Sequence, residues 1–171
     1  MPGLLSQLQP DSIAEFERAA NERFEEAMLL MCGPRWFISV YMFGYAIEMW
    51  LKAGFFHNEG LIGVNDPITT ADLRRAWSYR IPATLGPPFI GNNVSFHEIR
   101  VWARLLVHIR GAAGVLPPYP PAIAMLVETL ADQVRQHWGP ELRYHHEIVD
   151  RVDLGEVRTA AEWFQENYPS L

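Results

Sequence analysis

Cysteine is nearly missing from this chain of 171 residues: Cys32 stands alone, so no internal disulfide can form and a disulfide-stapled scaffold is excluded. Lysine is as scarce, because Lys52 is the only one and the remaining basic residues are all arginine. Positive charge of either kind is short. Fourteen Lys plus Arg against twenty Asp plus Glu give a formal charge of -6, so no global basic field draws the chain to nucleic acid, and any such site must be a local patch. Long hydrophobic runs are also missing. The most apolar stretch, Trp36 to Ile47, is bounded by Arg35 and Glu48 and is too short to span a bilayer, so no membrane association is expected. The start Met1-Pro2-Gly3-Leu4 has no basic leader pattern, and with a single cysteine this points to a reduced, cytoplasmic setting. There is no glycine-rich phosphate loop, no Gly-x-Ser-x-Gly elbow and no His-Glu-x-x-His pair, and the expectation is accordingly no cofactor and no metal.

What is abundant is apolar surface. Hydrophobic residues make up 49% of the chain and charged ones 20%, enough to bury a single core at this length. Period-two alternation is not found, whereas helical spacing recurs between Pro and Gly punctuation, so the chain reads as all-α and as one domain, 1–171. Ser12 with Glu15 reads as a capping box, followed by Ile13, Phe16, Ala20, Phe24, Ala27 and Leu30 on one helix face. Gly33-Pro34 breaks the chain, and a second helix is expected from Pro34 to about Phe56, apolar all round and therefore central. From His57 to Asn93 the chain reads as a loose connection or insertion with one short helical candidate, Thr70 to Tyr79. Ser95 and Glu98 predict a cap opening a helix from Phe96 to about Ala113. Ile123, Leu126, Val127, Leu130, Val134 and Trp138 mark the next helix. Asp153 with Glu156 predicts the cap of a last one, carrying Val157, Ala160, Ala161 and Phe164 to about Tyr168. Cys32, beside Gly33, reads as a small buried hydrophobe.

Three groups of polar residues are candidates for chemistry. On the predicted fourth helix, His97, Arg100, Arg104 and His108 fall within an arc of about 80°, opposite Ile99, Trp102, Leu105, Leu106 and Ile109. Guanidinium groups beside imidazoles suit RNA or nucleotide phosphate, with Arg104 and His108 the candidate catalytic pair; the alternative is a solvated face or a seam against a neighbour's carboxylates. Around Gly139-Pro140 lie His137, Glu141, Arg143, Tyr144, His145, His146 and Glu147, where Arg143, Tyr144 and His145 could contact phosphate or a partner. The third group is a stripe, Tyr41, Tyr45, Glu48 and Lys52, on the otherwise apolar second helix. Glu48 and Lys52 are spaced for an ion pair, and Tyr41, Tyr45 and Glu48 either tie helices together or line a small-ligand pocket.

The second helix, Tyr41-Met42-Phe43-Gly44-Tyr45-Ala46-Ile47-Glu48-Met49-Trp50-Leu51-Lys52-Ala53, resembles the central helix of the HEPN family, in which an aromatic, Ala, a small apolar residue, Glu and Leu-Lys-Ala recur in this order. Phe24-Glu25-Glu26-Ala27 is similar to that family's first helix, Phe96-His97-Glu98-Ile99 to its His-Asp-Leu start, and Leu142-Arg143-Tyr144 with Ala160-Ala161-Glu162-Trp163 to its Arg-Tyr segment and last helix. The resemblance implies an antiparallel four- to five-helix bundle that forms a homodimer and binds RNA, a nucleotide or a partner protein in a prokaryotic defence or toxin-antitoxin-type system. The family's ribonucleases carry Arg, four to six residues, then His, and no Arg here has a His at that spacing. A non-catalytic or non-standard member is therefore expected, the alternatives being a metal-independent endoribonuclease with other spacing and a structural subunit partnering a nucleotidyltransferase.

Overall fold

The computed structural model describes residues 11–33, 36–79, 96–112, 116–144 and 150–171. Six α-helices follow one another: α1 (Ile13–Leu30), α2 (Trp36–Glu59), α3 (Thr70–Ser78), α4 (Ile99–Ala112), α5 (Pro121–His137) and α6 (Arg151–Asn167), with short 3-10 turns at Pro140–Tyr144 and Tyr168–Ser170. No strand occurs among the described residues, as the periodicity predicts. α2 is the axis of the fold and packs against α1, α4 and α6. Contacts fix the helix directions. Phe24 meets Phe43 while Phe16 meets Lys52, so α1 runs antiparallel to α2. Glu98 meets Arg135 and Arg110 meets Tyr119, so α4 and α5 are antiparallel. His97 reaches Glu48 and Trp102 reaches Phe55, so α4 runs in the same general sense as α2, the segment between them having carried the chain back.

Burial follows the predicted stripes closely. Ile13, Phe16, Ala20, Phe24 and Ala27 of α1, Ile99, Trp102, Leu105, Leu106 and Ile109 of α4, and Val157, Ala160, Ala161 and Phe164 of α6 are all buried. Aromatic rings fill the centre edge to face: Trp102 contacts Phe55 at 5.7 Å and Trp77 at 6.0 Å between centroids. Two elements approach closely at Gly44, where a Cβ would stand 2.2 Å from Trp138. The indole lies on that bare backbone and donates its N–H to the Tyr41 carbonyl at 3.0 Å.

Helix ends differ from expectation in instructive ways. Ser12 caps α1 as predicted, its hydroxyl accepting from the Glu15 N–H at 3.1 Å, but the Glu15 carboxylate is turned to Arg18 rather than back to the cap. α2 continues past Phe56 to Glu59 because Asn58 and Glu59, though polar, face inward and have partners there; Gly60 then ends it with φ of 70°. α4 starts at Ile99, with the Glu98 carbonyl accepting from the Val101 and Trp102 N–H groups, so Glu98 precedes the helix instead of standing third in it. Ser95 lies outside the described residues. The cap of α6 falls three residues before the predicted one: Asp150 and Asp153 form the capping box, because an aspartate at the boundary reaches the first free N–H groups better than one inside the turn. Cys32 is exposed, not buried, since it falls in the chain reversal after α1.

The first half of the predicted loose connection is tied down. Ala14 N–H donates to the Val64 carbonyl at 3.0 Å and Ile68 N–H to that of Asp11 at 2.6 Å, pinning the loop to the start of α1. Thr69 and Asp72 cap α3 reciprocally. Arg75 then grips the buried Glu59 with two parallel bonds of 3.0 and 2.8 Å, and the Tyr79 hydroxyl donates to the same carboxylate at 3.0 Å. The remainder of that connection, 80–93, lies outside the described residues.

Candidate functional site

Two sites gather candidate polar residues, and of the predicted four-residue face they take His97, Arg100 and Arg104 but not His108. His97 does not belong to α4. It sits in the turn before it and faces α2, while Arg100 and Arg104 face α5.

The first site is a cleft of about 580 Å³ between α4 and α5, lined by Arg100, Arg104, Asp132, Arg135 and Gln136. Arg135 comes from α5, outside the three polar groups that sequence spacing marks. Its signal is the polar face of α5, where Glu128, Asp132, Arg135 and Gln136 recur at helical spacing opposite Val127, Ala131 and Val134. Each guanidinium has a carboxylate nearby. Glu98 accepts from Arg100 Nε at 2.8 Å and from Arg135 Nε at 3.1 Å, bridging the two helices. Glu128 stands 3.9 Å from Arg104 Nε, and the Asp132 charge acts on Arg100. Burial pushes the Glu98 carboxyl up, yet the bonds from Arg100 and Arg135 outweigh it and hold the group below the usual carboxylate range. Glu128 goes the other way: burial raises it, Asp132 adds to the rise and the distant Arg104 offsets only part. Arg100 is held in its charged form chiefly by the Glu98 bond. His108, one turn beyond Arg104, is half-buried on α4 and is not part of the cleft lining, so the cleft brings Arg104 together with Arg100 and Arg135 rather than with an imidazole.

The second site is a pocket of about 270 Å³ between α1, α2 and the turn before α4, lined among others by Phe16, Tyr45, Glu48, Lys52 and His97. Here the predicted stripe is realised. The Tyr41 and Tyr45 rings pack at a tilt of 59° with centroids 4.9 Å apart, and the Lys52 ammonium donates to Glu48, with both of those side chains almost fully buried. His97 joins them from outside the stripe: its Nδ1 lies 3.0 and 3.1 Å from the two Glu48 oxygens, and its ring is 6.0 Å from Tyr45. Since Glu48 also accepts from Lys52, its carboxylate is the acceptor and His97 Nδ1 the donor, which fixes the imidazole's orientation. Tyr41 does not line the pocket; it supports Tyr45 from behind.

Of the group around Gly139-Pro140, the structure describes the side chains of His137 and Glu141. His137 turns to α6, its Nδ1 2.6 Å from Asp153 and its Nε2 2.8 Å from Glu156, and thereby staples the end of α5 to the start of α6. Glu141 is exposed beside Gly139. Arg143 and Tyr144 end a 3-10 turn, and His145, His146 and Glu147 lie outside the described residues. Among the described residues no three His, Cys, Asp or Glu side chains are grouped to hold a metal ion, and no helix is long and apolar enough to cross a membrane. Compared with family models, with curated proteins and with solved structures, the chain shows no match.

Proposed function

We propose that this chain is a HEPN-like helical protein that dimerises and binds the phosphate of RNA or of a nucleotide at the α4–α5 cleft, as a non-catalytic or non-standard member of a prokaryotic defence or toxin-antitoxin-type system. The observation that carries the reading is the convergence of Arg100, Arg104 and Arg135, from two helices, on one open cleft. Guanidinium groups fixed in orientation by carboxylates behind them are suited to bidentate phosphate contact. Because Glu98, Glu128 and Asp132 already balance the three arginines, binding is an exchange in which phosphate oxygens replace carboxylate oxygens, and not a simple attraction.

The test is fluorescence anisotropy of a labelled single-stranded RNA and, in parallel, of a labelled ATP, at several salt concentrations. Binding should weaken with salt, and Arg100→Ala with Arg135→Ala should reduce affinity by about tenfold or more, each lost phosphate contact also flattening the salt slope. Affinity unchanged in the double variant would refute the cleft as the site. Running the same RNA with chelator present resolves the endoribonuclease alternative: chelator-resistant cleavage lost in both Arg104→Ala and His108→Ala would replace the binding reading with it. A signal seen only after adding a nucleotidyltransferase partner would replace it with the scaffold reading.

A further inference from the structure

The pocket beside Glu48 is separate from the arginine cleft, and its chemistry is opposite. We infer that it is a binding site for a small organic ammonium ion carried on a flat apolar body. The inference does not rest on the phosphate reading above.

Charge comes first. Asp11, Glu15 and Glu48 face the pocket with Lys52 as the one side-chain ammonium, so the lining carries an excess of negative charge. Lys52 is committed: it donates to Glu48 and lies between two ring faces, 5.8 Å from the Phe16 centroid and 5.5 Å from that of Trp102. That leaves Asp11 and Glu15 to set the field at the mouth. Arg18 bonds to Glu15 from outside, but it is 61% exposed, so water screens its compensation. An anion entering here would meet carboxylates whose counter-charge is already taken.

Shape comes second. Phe16 and Tyr45 offer aromatic surface, with Ala19 and Met49 completing an apolar wall, and an ammonium over aromatic faces is attracted by their quadrupoles. The floor adds a charged partner. A carboxylate can accept about four hydrogen bonds, and among the described residues Glu48 receives donors from Lys52 and His97. Glu48 is almost fully buried, so it acts on a seated ammonium through its charge, while Asp11 and Glu15 are the carboxylates the N–H groups can reach.

Energetics gives a third reason. A buried Lys–Glu pair gains little over well-packed apolar residues of the same volume, because desolvation offsets the attraction. Glu48 is 1% exposed, yet its pair with Lys52 and His97 stands at the base of a pocket rather than in the sealed core. Charge kept at such a place is accounted for by a ligand that uses it.

The experiment compares two probes of one shape and opposite charge, phenethylammonium and phenylacetate, titrated into the whole chain and followed by the NMR signals of the His97 and Tyr45 rings and by calorimetry. Phenethylammonium should bind saturably and shift both rings, phenylacetate should do neither, and the Asp11→Asn, Glu15→Gln double variant should bind the ammonium about tenfold more weakly. These rim residues are not in the core, so circular dichroism of the variant should match the parent. Equal response to the two probes, no saturable shift with phenethylammonium, or an unchanged affinity in the folded double variant would each overturn the inference. Because neither probe carries phosphate, failure here leaves the cleft reading standing, and failure of the RNA titration leaves this one.

Discussion

Trp138 rests on α2 only because position 44 has no side chain. Gly44→Ala would force a methyl carbon into the indole, and relief requires Trp138 to swing away and abandon its bond to the Tyr41 carbonyl. We expect a loss of about 1–3 kcal/mol in urea unfolding, with a red-shifted tryptophan emission as the ring becomes wetter. The Glu48–Lys52 pair makes a second prediction at this scale. Lys52→Met leaves a buried carboxylate short of its main partner and should cost about 3–5 kcal/mol, whereas the Glu48→Leu, Lys52→Met double variant should recover most of that. A double variant as unstable as the single one would show that shape and not charge governs the site. These residue-scale features were unevenly legible. The spacing of Tyr41, Tyr45, Glu48 and Lys52 sufficed to place them on one stripe, since a helix converts sequence separation into a face by fixed geometry. The arrival of His97 at Glu48, forty-nine positions away, is a tertiary contact that no local spacing encodes.

Among the elements, α3 shows how a short helix is retained. Nine residues are too few to hold a helix in water by themselves, and α3 buries only Ala76 fully. Its anchor is the fork of Arg75 on Glu59, reinforced by Asp72 at 2.5 Å and by the Tyr79 hydroxyl. Glu59→Gln should therefore release α3 while the bundle persists. Amide hydrogen exchange would check this: residues 70–79 should lose protection by one to two orders of magnitude, about 1.5–3 kcal/mol for charge-assisted bonds, with α1 and α6 unchanged. Helices whose burial repeats at regular intervals, α1, α4 and α6, were readable to within a few residues. The starts of α4 and α6 were not, because the first turns at Glu98 and Asp150 depend on which acidic residue is presented to free N–H groups, and sequence offers several at similar spacing.

For the whole molecule, acid behaviour follows from carboxylates pulled in opposite directions. Asp72 is held down to about 2 by the Thr69 hydroxyl and N–H and by Arg75, and Glu98 is held below its usual range by Arg100 and Arg135 despite burial. A depressed folded-state value means stabilisation that is present above the unfolded pKa and is lost as pH falls through the folded one. Stability should accordingly drop on acidification below about pH 4, less steeply in Glu98→Gln. Glu128 has the reverse sign: its value is raised by burial, so its contribution is present in acid and is lost as pH rises through the folded value. Melting curves should show Glu128→Gln at least as stable as the parent near neutrality, the difference closing in acid; a less stable variant at neutral pH would mean that the Arg104 contact outweighs burial.

The single lysine of the chain is also an analytical convenience. With one side-chain amine, held between Phe16 and Trp102 and salt-bridged to Glu48, an acylating reagent has one internal target and can reach it only where the seam between α1 and α2 opens toward the pocket. The rate of acylation at Lys52, followed by the mass of the peptide that carries it, thus becomes a clock for the breathing of that seam without any introduced label.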